Sequence, residues 1–306
     1  HKSVSFEVEG TNSAGDLGAA ASVSFQNRNL FRGSETFMIK FRGAYEVISG
    51  LQAGYSNNNY TEYGVETSIN FPNFLFPFIS SDFKRIIRAT TEFGLQYNYQ
   101  LRPEFLRTMA SANWSYKWTQ RRKIQHRIDL INIAFLYLPR ISERFKEDYI
   151  NKGQNHIFQY NYQDRLIINM GYSYNYNSVG GSIINNTIAS NSYSIRFNFE
   201  SAGNVMYALS KAANIRKNSN GEYAILGIPY AQYLKGEFDF AKNIRIDYRN
   251  SFAFHAGVGI AVPYGNAKTI PFEKQYFSGG ANSVRGWSVR DLGPGSFAGN
   301  GNLLDQ

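Results

Sequence analysis

A single arginine, Arg285, sits among glycines and small polar residues in the run GGANSVRGW at residues 279–287, directly before Gly286 and Trp287. Gly279, Gly280 and Gly286 permit tight backbone paths that side chains would obstruct. A guanidinium on such a loop can grip a carboxylate through two parallel hydrogen bonds, and that grip strengthens where water is excluded. The chemistry on offer is a latch that ties a loop back into a shielded interior, with Trp287 as an apolar anchor beside the charge. The plainer alternative is a surface loop whose arginine and tryptophan face solvent. No nucleophile, base and orienting group accompany the run. The four histidines, His1, His126, His156 and His255, lack metal-site spacing with carboxylates, and there is no cysteine. No catalytic residue, metal or cofactor is expected, and His255 reads as a polar residue on its strand.

A latch needs elements to hold it. Through residues 243–265, Ile244, Ile246, Tyr248, Phe252, Phe254, Val258, Ile260 and Val262 share one parity, and Arg245, Asp247, Arg249, Ser251, His255, Gly257 and Gly259 share the other. A period of two puts the sets on opposite faces of a strand. Read as one strand over 244–262, it far exceeds the ~5–6 residues usual in soluble sheets. The same alternation appears in SYSIRFNFE, where Tyr193, Ile195, Phe197 and Phe199 oppose Ser194, Arg196, Asn198 and Glu200. It recurs in TTEFGLQYNYQ, where Phe93, Leu95, Tyr97 and Tyr99 oppose Glu92, Gly94, Gln96, Asn98 and Gln100.

The alternation predicts strands near 3–10, 17–27, 34–46, 61–71, 88–101, 105–118, 124–138, 164–177, 191–201, 229–241 and 244–262. Residues 154–162 either extend the eighth strand or form another. Longer connections are expected at 47–60, 72–87, 139–153 and 202–228, with a short helix in NVMYALSKAANIRK and a helical turn at 141–150.

Composition agrees with one greasy and one wet face. Aromatic residues make up 16% of the 306, with 22 Tyr and 24 Phe, yet the mean hydropathy is −0.39. No run approaches the ~20 apolar residues of a membrane helix, which leaves the membrane β-barrel open. A soluble β-sandwich would instead pack the greasy face on a second sheet. The formal charge of +9 is spread singly except at QRRK, residues 120–123. That spacing argues against nucleic acid and for a solvated lumen, an anionic membrane surface or solubility. The N-terminal HKSVSFEVEG lacks signal-peptide features, so the chain is expected to begin inside a larger or processed protein.

The stretch FSGGANSVRGWSVRDLGPG at residues 277–295 resembles the signature of the Omp85 superfamily, outer-membrane barrels that assemble or translocate other proteins. Gly279 and Gly280, then Val284, Arg285, Gly286 and Trp287, match its paired glycine and Val-Arg-Gly-aromatic pattern on the sixth extracellular loop. Trp287 departs mildly from the usual Phe or Tyr. Asn282, Ser283 and Leu292-Gly293-Pro294 resemble the translocation-and-assembly branch of TamA and TamL more than the BamA branch. NRNLFRGSE at 27–35 resembles the first inter-strand turn of these barrels.

The resemblance implies an all-β fold, an antiparallel transmembrane β-barrel. The chain would supply the first eleven or so of about sixteen strands, the rest lying beyond Gln306. Residues 1–306 would be a partial barrel domain, with the signature loop in 265–306. It also implies a lateral gate, in which a client strand pairs with the first strand at Ser3, Val4, Ser5, Phe6, Glu7 and Val8. Arg285 would hold the loop against acidic residues on the later strands. Implied partners are outer-membrane lipid and lipopolysaccharide, unfolded outer-membrane protein clients, and a periplasmic bridge protein or accessory lipoproteins, with POTRA domains upstream. A dedicated secretion pore and an ordinary porin or transporter remain the alternatives.

Overall fold

Period-two alternation becomes strand along most of the chain. The computed structural model describes residues 2–13, 16–48, 59–143, 146–147, 163–179, 191–219, 221–247, 249–279 and 283–284. The strands are β1 Lys2–Ser13, β2 Asp16–Asn27, β3 Thr36–Val47, β4 Asn59–Phe71, β5 Thr90–Leu101, β6 Phe105–Gln120, β7 Ile124–Ile141, β8 Arg165–Asn177 and β9 Asn191–Ala202. A small hairpin, β10 Ala224–Ile225 and β11 Ile228–Pro229, precedes β12 Tyr233–Arg245 and β13 Ser251–Pro263. All but the small hairpin form one 11-stranded sheet in the order β1 to β9, then β12, then β13. Every pairing within it is antiparallel. The chain therefore meanders, and β1 and β13 are the margins of an open sheet.

Strand length fits a membrane better than a soluble core. The sheet strands run from 12 residues in β1 to 18 in β7, where ~9–11 tilted residues suffice to cross hydrocarbon. Register joins the faces across strands. Thr67, Leu95, Ala112 and Ile133 lie in one cross-strand row, and Ile69, Phe93, Trp114 and Ile131 in the next. This apolar face packs on no second sheet among the described residues, and Leu95, Tyr97, Phe197, Phe199, Val258 and Ile260 are all exposed on it. The opposite face is polar and internally bonded: Lys117 pairs with Glu92 at 2.6 Å, and Asn98 donates to Glu62 at 2.6 Å.

Antiparallel order sorts the connections between the two ends of the sheet. One end joins β2 to β3, β4 to β5, β6 to β7, β8 to β9 and β12 to β13; the other joins β1 to β2, β3 to β4, β5 to β6, β7 to β8 and β9 to β12, and the segment after β13 starts there. At this second end the polar face is not simply wet. Leu136, Ile167, Ala202, Ala231 and Tyr233 form a buried apolar cluster, with Met109, Ala134 and Ile270 against it.

Three expectations change. The last two expected strands, 229–241 and 244–262, are both present but displaced: β12 runs on to Arg245 and β13 starts at Ser251, so the turn between them lies at 246–250 rather than 242–243. The Asp247 carboxylate accepts the amides of Arg249 and Asn250 at 2.7 Å each and the Asn250 side chain at 2.7 Å, which folds the chain back on itself. Within the connection expected at 72–87, a helix α1 forms at Ser81–Ile87. Ser80 caps it, and Arg88, left-handed at φ 51°, ends it and delays β5 to Thr90. The turn at 28–35 is the second inter-strand connection, the first on its end, and it follows a full strand of 12 residues. The expected loop helix is present as α2, Asn204–Ala212, entered through Gly203 at φ 72° without a side-chain cap. Residues 154–162 and half of 141–150 lie outside the described residues.

Candidate functional site

β1 is held from one side only. Its side chains from Lys2 to Gly10 are exposed, with Phe6 at 75% and Val8 at 84%. On its polar face Ser5 bonds Ser24 at 2.6 Å, and Glu7 accepts from Ser22 at 3.0 Å and Lys40 at 3.1 Å. Glu9 meets Arg42 at 3.3 Å. These bonds fix the register of β1 on β2 and β3, while Val4, Phe6 and Val8 extend the apolar face. The other edge of β1 has no strand partner among the described residues. Ser3, Val4, Ser5, Phe6, Glu7 and Val8 thus lie together on a marginal strand.

The turn after β2 is built to be rigid. The Glu35 carboxylate accepts the amides of Phe31 at 3.1 Å and Gly33 at 3.0 Å, and Asn29 accepts the amide of Ser34 at 3.1 Å. Arg32 and Ser34 take left-handed φ of 67°. Its own backbone N–H, with those of Gly33 and Phe31, holds the Glu35 carboxyl below the usual carboxylate range.

The segment after β13 turns back onto the polar face rather than leaving the sheet. Asn266, which is buried, fastens its start. Its amide donates to Gln232 at 2.8 Å, and its side chain donates to the carbonyls of Tyr223 and Tyr230 at 2.9 Å. Tyr264 reaches Asn204 of α2 at 2.6 Å. A short 3-10 turn, Phe272–Lys274, then places two opposite charges. Glu273 meets Arg107 of β6 at 3.3 Å, and Lys274 lies 2.8 Å from Glu200 of β9. Glu200 also accepts from Asn169 and Tyr233. Two residues on, the Tyr276 hydroxyl donates to the Gly236 carbonyl at 3.3 Å, and Lys235 lies over its ring at 4.3 Å. A polar cavity of about 220 Å³ opens beside these groups, lined in part by Asp129, Asn132, Glu200, Lys235 and Glu237.

This base leads into the glycine run. Gly279 is buried with φ 95°, a left-handed conformation that favours glycine, and Val284 is 43% exposed. Gly280, Arg285, Gly286 and Trp287 lie outside the described residues. His255 bonds Asp239 at 3.0 Å on the polar face, whereas His126 stacks on Trp118 at 4.7 Å on the apolar face. Among the described residues no three metal-ligating groups converge.

The docking residues Asn266, Glu273, Lys274 and Tyr276 were not singled out by spacing. One signal for them exists: Gly257 and Gly259 interrupt β13, and glycine inside a strand often marks a close approach. Tyr276 makes that approach at Gly259.

Residues 6–303 match the Omp85 superfamily domain. Among solved structures, the chain is similar to BamA from Haemophilus ducreyi lacking POTRA domains 1–3. The TM-score is 0.54 at 15% identity, over 96% of this chain and 47% of that one. The chain thus spans about half the length of that structure, and at this identity the likeness concerns the fold. No curated protein matches the chain. An antiparallel sheet of membrane-spanning strands, a loop base docked on its polar face and a family domain matched over nearly the whole sequence agree, and the chain belongs to the Omp85 superfamily.

Proposed function

We propose that this chain is the barrel part of an integral outer-membrane factor that inserts or translocates other proteins, and that client strands enter by pairing with β1. Family membership supports the broad activity. The observation that supports the finer reading is how β1 is held. Ser5, Glu7 and Glu9 pin its polar face to β2 and β3, while Val4, Phe6 and Val8 are exposed on the other face. A strand margin offers a row of N–H and C=O groups to any extended segment, and the side chains set its register.

In this reading Ser3, Val4, Ser5, Phe6, Glu7 and Val8 form the gate, with Phe6 and Val8 against lipid. Arg285, carried by Gly279, Gly280 and Gly286 and flanked by Val284 and Trp287, latches the loop inside. The partners are outer-membrane lipid and lipopolysaccharide, unfolded outer-membrane proteins, and a periplasmic bridge protein or accessory lipoproteins. Asn282, Ser283 and Leu292-Gly293-Pro294 favour the duty of the TamA and TamL branch.

The test is photo-cross-linking from β1 in cells. A cross-linker at Ser3, Ser5 or Phe6 of the full chain is expected to trap outer-membrane proteins during their assembly, with Asn198 on β9 as the control. Client adducts absent from every β1 position of the folded protein would sink the gate. Adducts to one exported protein at Asn198 alone would favour a dedicated pore.

A further inference from the structure

One connection does not stay at its end of the sheet. After β4, residues 72–80 fold over the apolar face, and their rings continue its aromatic surface. Phe93 lies 5.3 Å from Trp114, Trp114 lies 5.9 Å from Tyr116, and Phe74 packs edge-on against Tyr116 at 4.6 Å. The fold-over is fastened by polar bonds. The Tyr116 hydroxyl donates to the Leu75 carbonyl at 3.1 Å, the Leu75 amide donates to Thr91 at 2.9 Å, and Thr91 donates to the Asn73 carbonyl at 2.8 Å. Beyond this anchored part the elbow is bare: Phe78 is 87% and Ile86 of α1 is 79% exposed.

Basic residues share this end of the sheet with the elbow. Lys84 and Arg85 lie in the last turn of α1, with Asp82 in its first, and the β6–β7 turn at the same end is Arg121-Arg122-Lys123. Arg121 and Arg122 adopt φ of 50° and 57°, a paired left-handed turn in which Asn-Gly is the usual choice. Arginine there costs conformational energy, and such outliers collect at functional positions.

A groove lies in line with both. On the apolar face Ala112 sits low between Leu95 and Ile133, and the next row toward the elbow is Phe93, Trp114 and Ile131. The trough has a volume of about 340 Å³ and an almost wholly apolar lining. Tyr116, on which the elbow rests, is two residues beyond Trp114 on the same face of β6.

We propose that this corner is a binding site for one anionic glycerophospholipid. An acyl chain lies in the trough over Ala112, and the phosphate headgroup sits among Arg85, Arg121, Arg122 and Lys123. The elbow, through Phe78 and Ile86, enters the interfacial layer beside it. Apolar side chains rimmed by cations match such a lipid in both parts, and aromatic rings favour that depth. The trough opens on the face that meets hydrocarbon, which separates this occupant from a soluble protein. The inference rests on reading the apolar face as lipid-facing, and the experiment separates the two.

Folded full-chain protein is incubated with phosphatidylglycerol, phosphatidylcholine or lipid A, and the retained lipid is read by native mass spectrometry. Phosphatidylglycerol is expected to be retained over phosphatidylcholine by about fivefold or more, roughly the factor that one basic residue near an anionic surface contributes. Arg121→Glu with Arg122→Glu, and separately Ala112→Phe, are expected to abolish the preference. Equal retention of the two phospholipids, retention of lipid A alone, or folded variants that keep the preference would overturn the site.

A second arm does not depend on those variants. The 306 residues contain no cysteine, so single nitroxide labels at Phe78→Cys, Ile86→Cys, Leu95→Cys and Lys217→Cys read depth in phosphatidylethanolamine and phosphatidylglycerol vesicles. Labels at 78 and 86 are expected to be shielded from an aqueous nickel chelate, but less deeply than the label at 95. If 78 and 86 are as accessible as 217 while 95 is deep, the lipid site fails alone. If 95 is also aqueous, the barrel reading fails with it.

Discussion

Tyr276 occupies the space that a side chain at Gly259 would need: a β-carbon there would lie 2.5 Å from the ring's Cζ. The ring belongs to the segment after β13 and the glycine to β13 itself, so the strand has a gap fitted to the returning chain. Gly259→Val is expected to expel the ring and loosen this segment at a cost of about 1–3 kcal/mol. Limited proteolysis should show faster cleavage after residue 264 with strand content unchanged. Equal cleavage of variant and wild type would show that the contact does not hold the loop.

The two ion pairs beneath the loop are half-shielded. Lys274 and Glu200 are each 23% exposed, and Arg107 and Glu273 are 25% and 28% exposed. Lys274→Met is expected to destabilise the folded protein by about 1 kcal/mol, after allowance for solvent screening. Glu200→Ala is expected to cost more, about 2–3 kcal/mol, because the donors Asn169 and Tyr233 lose their acceptor as well. Urea unfolding of both single variants and the double variant checks this, and a coupling energy near zero would show that the pair is idle.

The latch is testable without knowing its acceptor. Arg285→Ala is expected to leave strand content intact while lowering protease protection of the loop and assembly activity together. Arg285→Lys should recover only part of that protection, because a lysine lacks the planar fork that grips both carboxylate oxygens. Loop protection equal to wild type in Arg285→Ala argues against the latch.

Two turns at the elbow end carry a pH dependence of known sign. Glu35 is held low by its own amide and those of Gly33 and Phe31, and Asp247 by the Asn250 side chain and the amides of Arg249 and Asn250. Both folded pKa values are depressed, so their contribution is fully present above the unfolded values of about 4. It is lost as pH falls through the folded values. Hydrogen exchange at Phe31, Gly33 and Asn250 is expected to rise, relative to the intrinsic rate, only below about pH 4. Glu35→Gln should raise exchange at Phe31 and Gly33 already at neutral pH and leave Asn250 unchanged.

The sequence by itself determined the strands, because parity is a local property. Phe93, Leu95 and Tyr97 face one side and Glu92, Gln96 and Asn98 the other whatever the neighbouring strands do. It also determined the loop helix and the glycine run. Even the irregularity of β7 is written locally. In IDLINI, Ile128 and Ile131 are three apart where alternation asks for two, and the register shifts there, between Asp129 and Asn132 on the β8 side.

Only the tertiary structure decided where β12 gives way to β13 and what the polar face holds. Residues 244–262 keep their parity through Asp247, so periodicity reads straight across a turn that is made by a carboxylate finding three donors. Tyr230 and Tyr233 are wholly buried, because connections from distant parts of the chain close over them. The returning segment meets β6, β9, β12 and β13 at Arg107, Glu200, Gly236 and Gly259. Contacts across 17 to 166 residues leave no periodic trace, since their partners are set by the register of the whole sheet rather than by any local run.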